Sequence, residues 1–327
     1  MKFLYLLEML RHACPPLAAA FGALTYLGDE AAFLAATLLV MWCVSKRSAY
    51  YLLTVGFLGT IVNQLLKVVC MVPRPWIRDP AFTVWEGAKG AATGYSFPSG
   101  HTQNAAGTYG TLSLLGFCRA HNRRGRILAA SLGASLILTV AFSRMLLGVH
   151  TPADVLFSLG LGLFLTLALY PFFARERTNR AVCLLVSAML AIALGFVLFL
   201  SLWDVPEAMD AQNFAEASKN AWTLLGAVGG VLTVSLVEPR CVRYETAAPL
   251  PAQIVKLLLG TALTLALKGG LKALFAMITL APAMHALRYF LVVIFAGLIF
   301  PLTFPYLSRI GQKSPPARKA SGSERAE

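Results

Sequence analysis

Two histidines stand at the entrances of apolar segments, where an imidazole can exchange a proton or act as a nucleophile. The first, His101, ends the run Pro98-Ser99-Gly100-His101. Ser99 is a suitable N-cap, Gly100 allows the backbone to approach a ligand, and the first free N–H groups of the following helix form an anion site. An imidazole beside a bound oxyanion can donate a proton to a departing alkoxide. The same run also fits an ordinary capped helix with a histidine at a membrane interface.

The second histidine, His150, directly precedes a predicted helix start. Thr151 suits the N-cap, Pro152 suits the first helical position, and Asp154 closes a capping box, so a structural role accounts for this carboxylate. A capping box does not require His150 before it, or Arg144 at the end of the preceding segment. A carboxylate in the first turn can hold one imidazole nitrogen and leave the other free to attack. Ionisable groups at membrane depth are costly and usually functional.

Two cations precede both histidines. Lys67 ends an apolar segment, and Arg74-Pro75 follows after six residues. Such a pair can fix the charged oxygens of a phosphate, the arginine through its planar fork and the lysine as a point charge. Alternatively, both side chains extend to the lipid head groups.

The elements that carry these residues are predicted to be membrane helices. The chain is 57% hydrophobic and 13% charged, with a mean hydropathy of +0.68, which exceeds what a soluble domain can bury. Apolar runs of roughly 17 to 25 residues recur, and each can cross a hydrocarbon core of about 30 Å as a helix. We therefore predict an all-α, polytopic membrane helical bundle.

We expect about ten spans, six in a core and four in a C-terminal extension. Their predicted ranges are 15–26, 31–44, 50–71, 102–118, 127–147, 152–173, 181–203, 220–237, 254–278 and 284–307. The corresponding domains are an interfacial N-terminal helix (1–12), a membrane core (13–173), a transmembrane extension (174–308) and a disordered basic tail (309–327). Asp29 and Glu30 are expected to form a polar turn between the first two spans.

The charge of +13 fits membrane orientation better than nucleic-acid binding, because the basic residues are scattered between apolar spans. With ten alternating spans the basic loops share one side, which we predict to be cytoplasmic; they contain Lys46, Arg47, Arg119, Arg123, Arg124, Arg126, Arg175, Arg177, Arg180, Arg240 and Arg243. The loop 72–98 and both histidines then face outward. The six cysteines have no paired spacing, so we predict neither a disulfide framework nor a zinc site.

These motifs together resemble the type 2 phosphatidic acid phosphatase superfamily of integral-membrane lipid phosphate phosphatases, which also includes glucose-6-phosphatases and vanadium haloperoxidases. The family's three-part signature is Lys-x6-Arg-Pro, Pro-Ser-Gly-His and Ser-Arg-x5-His-x3-Asp. This chain fills it from Lys67 to Pro75, from Pro98 to His101 and from Ser143 to Asp154. The resemblance covers roughly residues 29–173.

The resemblance implies a role for each signature residue. His150 would attack phosphorus and become phosphohistidine, Asp154 would orient it, and His101 would protonate the leaving oxygen before water hydrolyses the intermediate. The implied phosphate-binding residues are Lys67, Arg74, Ser99, Gly100 and Arg144. The scheme needs neither a metal nor another cofactor.

We therefore expect metal-independent dephosphorylation of a membrane lipid phosphate or diphosphate at the outer face of a bacterial plasma membrane. Polyprenyl diphosphate, phosphatidylglycerol phosphate, phosphatidate and a sphingoid-base phosphate are candidate substrates. Two alternatives stay open: a phosphotransferase with an acceptor other than water, and a lipid or phosphate transporter. Transport would predict charges along helix middles, where only Lys268 and Lys272 fall. The sequence leaves the phosphoryl acceptor, the oligomeric state and the role of residues 174–308 open.

Overall fold

The computed structural model describes residues 1–175, 179–206, 209–278 and 281–311, and within them the chain is helical with no β-strand. The prediction of an all-α membrane bundle is confirmed. The predicted disordered tail falls mostly on residues 312–327, which lie outside the described residues. In chain order the α-helices are α1 (Lys2–Ala13), α2 (Pro15–Leu24), α3 (Glu30–Cys43), α4 (Lys46–Cys70), α5 (Pro75–Arg78), α6 (Glu86–Lys89), α7 (Gly100–Arg119), α8 (Arg123–Leu146), α9 (Pro152–Ala174), α10 (Asn179–Leu202), α11 (Ala211–Val237), α12 (Leu250–Ile278), α13 (Ala283–Ile294) and α14 (Phe304–Leu307).

The number of spans is smaller than the ten expected. Seven helical segments of the described chain are long and apolar enough to cross a membrane, and α2 and α3 qualify together as an eighth, bent by 48° at their junction. The last span runs from α13 through a π turn and a 3₁₀ turn into α14. The prediction that α2 and α3 cross separately is wrong, because the ten residues of α2 reach only about 15 Å, half the hydrocarbon thickness.

The short helix α2 lies against the end of α8. The Phe21 ring packs edge-on against Phe142 with 5.2 Å between centroids, and the Thr25 hydroxyl lies 2.9 Å from a guanidinium nitrogen of Arg144. The break before α3 frees backbone carbonyls, and the Asn104 amide donates to two of them, those of Gly28 and Asp29, at 3.0 Å each. The expected polar turn is therefore a capped break between α2 and α3.

The predicted ten-span topology puts helix α1 at the end of the bundle with the basic loops. Because α2 does not cross, α1 lies at the other end. Arg11 donates to the carbonyls of Leu146 at 2.9 Å and Thr83 at 2.6 Å, and a Glu8 carboxylate oxygen accepts from the Thr83 N–H at 2.7 Å. These contacts join α1 to the last turn of α8 and to the loop between α4 and α7. The N-terminal helix thus shares an end of the bundle with both histidines.

Helix α7 is too polar to qualify by hydropathy, yet it runs beside α8 over its whole length. Gly133 of α8 lies so close to Ser113 that a Cβ there would sit 2.5 Å from the serine Cβ, and further along Gly116 faces Ala129. Because α4, α8 and α9 enclose it, α7 buries its polar side chains against protein rather than lipid. Counting α7 by its packing gives nine candidate crossings among the described residues, one fewer than expected because α2 is too short to cross by itself.

Alternation of these helices separates the two ends of the bundle. Helices α4 and α8 end where α7 and α9 begin, and the loop 71–99 folds over that end. At the other end Arg119 donates to the Ser48 hydroxyl at 2.8 Å, and Lys46 pairs with Glu238 at 2.6 Å. The candidate site and the basic loops therefore lie at opposite ends.

The C-terminal helices pack tightly on the core. The fully buried Trp42 of α3 donates its indole N–H to the Ala296 carbonyl at 3.0 Å and contacts the Phe300 ring with 4.9 Å between centroids. Within the extension, Gly226 of α11 touches the backbone of Ala286 in α13, where no larger residue fits. The domain boundaries proposed from the sequence stay a prediction.

Candidate active site

The predicted site residues come from four helix ends and the loop above them. Lys67 lies in the last turn of α4, Arg144 in the last turn of α8, and Asp154 in the first turn of α9. Six of the predicted side chains are nearly inaccessible in the described structure: Lys67, Arg74, Ser99, Arg144, His150 and Asp154. The fold thus brings residues that are far apart in sequence into one buried cluster.

Arg74 contacts His150 directly. One of its terminal nitrogens lies 3.0 Å from the Nε2 atom of His150 and 3.0 Å from the carbonyl of Val149. A guanidinium is always a donor, so Nε2 accepts this bond and carries a lone pair, and the ring proton belongs on Nδ1. The contact therefore fixes one imidazole tautomer, with the proton on Nδ1 and the lone pair on Nε2.

The Asp154 carboxylate faces the other ring nitrogen. Its Oδ2 atom lies 3.5 Å from Nδ1 of His150, and it accepts hydrogen bonds from the Thr151 N–H at 2.8 Å and the Ser96 hydroxyl at 2.6 Å. The Thr151 hydroxyl in turn caps the Asp154 N–H at 3.3 Å, so the predicted capping box is confirmed. Among the described residues Nδ1 has no hydrogen-bond partner. One carboxylate thus belongs to a helix cap and also stands beside the imidazole.

Burial keeps His150 uncharged. Loss of solvation, followed by the positive charges of Arg74, Arg144 and Lys67, holds the pKa of His150 well below its ordinary value of 6.5. At neutral pH the imidazole is therefore neutral, and Nε2 carries the lone pair that accepts the Arg74 hydrogen bond.

Backbone carbonyls, which carry no formal charge, orient two of the cations. Arg74 donates to the carbonyls of Gly94 at 3.0 Å and Thr93 at 2.7 Å, and Lys67 donates to the carbonyl of Tyr95. The Nε–H of Arg144 has no partner among the described residues. Three buried cations thus share the cluster with one buried carboxylate, that of Asp154. Such an excess of positive charge favours an anionic ligand.

The start of α7 completes the cluster. Ser99 caps the helix, with its hydroxyl 2.9 Å from that of Thr102, and its own N–H donates to the Asp154 carbonyl at 3.3 Å. This bond ties the first turn of α7 to that of α9. The N–H groups of Gly100 and His101 belong to the first helical turn, which has no intrahelical acceptors to offer them.

His101 differs from His150 because it reaches a cavity. Its side chain is half-buried and lines a polar chamber together with Asp29, Asn63 and Asn104. The two histidines thus occupy different positions, one enclosed among the cations and one at the edge of open space.

Sequence reasoning missed three residues of this cluster. Ser96 is fully buried and holds Asp154, and Thr25 holds Arg144. Nothing in their local sequence distinguishes them from loop or cap residues. Asn63 carried a signal, since it is a polar residue in an apolar span one turn before Lys67, and neither of its amide atoms has a partner in the described structure.

Comparison with known proteins agrees with these motifs. Residues 47–178 match the family model described as PAP2 superfamily, and residues 222–312 match that of the PAP2 superfamily phosphatase, transmembrane extension. Undecaprenyl-diphosphatase BcrC of Bacillus subtilis (strain 168) is 30% identical over 139 residues, which make up 41% of this chain and 65% of that relative. The chain thus spans less than two thirds of the relative that it matches, and no solved structure matches it.

The two matched regions cover more than half of the chain and include every residue of the cluster that carries the three-part signature. The second region falls on helices α11 to α14, which pack against the core. The chain therefore belongs to the PAP2 superfamily of membrane phosphatases.

Proposed function

We propose that the protein removes phosphate from a membrane lipid phosphate or diphosphate through a phosphohistidine on His150. The observation that carries this proposal is the Arg74 contact with Nε2, which leaves a neutral, correctly protonated imidazole inside a cluster of three cations. A lone pair held beside an anion site is what attack on a phosphoryl group requires.

In the first step the Arg74 N–H moves its hydrogen bond from Nε2 to a phosphoryl oxygen, and Nε2 attacks phosphorus. The N–P bond forms, and the bond from phosphorus to the leaving oxygen breaks. His101, protonated when the anionic phosphoryl group offsets the three cations, gives that oxygen its proton. A lipid alcohol then leaves from a monophosphate, and a lipid monophosphate leaves from a diphosphate. Asp154 balances the positive charge that His150 acquires. The non-bridging oxygens lie among Lys67, Arg74 and Arg144 and the first-turn N–H groups of α7.

In the second step a water molecule attacks the phosphohistidine. His101, now neutral, accepts the water proton, the N–P bond breaks, and inorganic phosphate leaves with His150 restored. The same imidazole thus acts as acid and then as base, as microscopic reversibility requires.

The lipid part of the proposal rests on the position of the site at one end of the bundle, at head-group level, with catalytic residues on helix ends. A polyprenyl diphosphate is the substrate class that the name of the bacterial relative favours. Because basic loops are retained in the cytoplasm, the proposed orientation places the site at the outer face of a bacterial plasma membrane.

The test is release of inorganic phosphate by purified protein in detergent, over a panel of polyprenyl diphosphates, phosphatidylglycerol phosphate and phosphatidate. We expect His150→Ala to abolish release and to incorporate no label from a substrate radiolabelled at the terminal phosphate. His121→Ala, at the opposite end of the bundle and exposed, is the matched control and should behave like the parent. Phosphate release by His150→Ala at the parental rate would disprove the mechanism.

A further inference from the structure

The chamber beside His101 lies next to a second, apolar cavity. Polar side chains line the chamber at several points, among them Asn63, Gln64 and Asn220. The second cavity is lined almost entirely by apolar side chains, including Leu34 and Val231. We call them the polar chamber and the apolar groove.

The two cavities are adjacent and share part of their walls. The shared residues are Glu30, Phe33, Phe57, Ala227 and Tyr289. Together the two cavities, which we call the passage, extend from His101, at the edge of the catalytic cluster, past this junction and down between the helices.

The apolar groove follows α3 from Glu30 to Met41. At a rise of 1.5 Å per residue this stretch is about 16 Å long, close to half of a hydrocarbon core of about 30 Å. The groove thus starts near head-group level and extends through roughly one leaflet.

The walls of the groove come from both parts of the chain. Helices α3 and α4 form one side, and helices α11 and α13 of the C-terminal extension form the other. The extension therefore completes a cavity that the core alone would leave open.

An ion pair marks the junction between polar and apolar walls. Lys268 of α12 pairs with Glu30 of α3 at 2.9 Å, and the Tyr289 hydroxyl of α13 donates to the same carboxylate at 3.2 Å. The Lys268 ammonium also lies 5.3 Å from the centroid of the Tyr289 ring. These contacts explain a lysine within an apolar span, because its charge is paired at the wall of the passage.

We propose that the apolar groove holds a hydrocarbon chain of the lipid substrate while its phosphate lies in the catalytic cluster. The inference rests on the proposed function and deepens it. An amphiphile matches the sequence of surfaces along the passage. Its charged head contacts the cations, its linking region lies in the polar chamber, and its chain contacts the apolar walls. The C-terminal extension then acts in chain recognition.

The test modifies the groove after the protein has folded. Leu34→Cys places a thiol in the groove, and Leu39→Cys on the same helix places one on the lipid-exposed face. Each purified variant is assayed before and after treatment with N-phenylmaleimide, using isopentenyl diphosphate as the short probe and farnesyl diphosphate as the long one. The parent chain, treated in the same way, sets the baseline for its six native cysteines.

We expect labelled Leu34→Cys to lose about tenfold or more in kcat/KM for farnesyl diphosphate, because several buried methylenes lose their contacts, and to keep its activity on isopentenyl diphosphate. Labelled Leu39→Cys should keep both activities. If the unmodified protein hydrolyses farnesyl diphosphate and not isopentenyl diphosphate, comparison of labelled Leu34→Cys with labelled Leu39→Cys tests the groove.

Two results would overturn the groove. One is unchanged farnesyl diphosphate hydrolysis after labelling at position 34, and the other is an equal loss on both probes, which would mean that the label disturbs catalysis and not chain binding. Failure of the proposed function has a separate sign: the unmodified protein would release phosphate from neither probe.

Discussion

Replacing Asp154 by Asn separates its two roles, because Asn keeps the size of the side chain and a capping oxygen while removing the charge. In the transition state the His150 ring gains positive charge 3.5 Å from Oδ2. At an effective dielectric constant of about 20, a full charge at that distance interacts with the carboxylate by about 5 kcal/mol. We therefore expect kcat to fall by about three orders of magnitude, while the helix start loses only about 1 kcal/mol.

The matched control is Thr151→Ala, which removes the other half of the same capping box and leaves the carboxylate charge in place. Loss of the cap should lower thermal stability by about 0.5–2 kcal/mol and change kcat by less than about threefold. Both variants are measured by steady-state phosphate release and by thermal unfolding in detergent. Equal, small effects on kcat would refute the electrostatic argument and leave Asp154 as a helix cap.

Three further predictions follow from the geometry. In the proposed mechanism the neutral form of His150 reacts, and its pKa is lowered, so activity holds above that pKa and is lost as pH falls through it. The acidic limb of kcat/KM should therefore lie below pH 6.5. A limb at or above pH 6.5 would contradict the role of neutral His150 as nucleophile. Ser96→Ala removes a charge-assisted bond to Asp154 and should slow phosphoenzyme formation by about tenfold or more in rapid-quench experiments; an unchanged rate would exclude a positioning role. Gly162→Val should destabilise the protein by about 1–3 kcal/mol, because a Cβ at this position would lie 2.6 Å from an alanine of α7. Gly160→Ala, in open space, should leave thermal unfolding nearly unchanged. Equal melting temperatures of the two variants would refute the packing argument.

Some of the site could be predicted because its parts are local in sequence. A helix start needs a capping residue, and Ser99 and Thr151 both occupy that position in the structure. The motifs place His101 and His150 at these helix starts. Because α8 returns between α7 and α9, the two histidines lie at the same end of the bundle.

The number of crossings could not be predicted from apolar composition. Whether α2 crosses depends on its neighbours. Its ten residues are too short for a full crossing, and the helix instead packs against the end of α8. Helix α7 shows the opposite case: its polar residues are hidden by α4, α8 and α9, so its hydropathy understates its burial.

The sequence by itself determined that the chain lies in a lipid bilayer, that it is helical and which chemical groups the site contains. These properties depend on composition and on spacing within one or two turns. Only the tertiary structure decided that Ser96 holds Asp154, that Arg74 fixes the tautomer of His150, and that the C-terminal helices close a groove next to the chamber of His101. The physical reason is distance along the chain. Hydrogen bonds and cavity walls join side chains separated by tens to hundreds of residues, and no local pattern encodes those contacts.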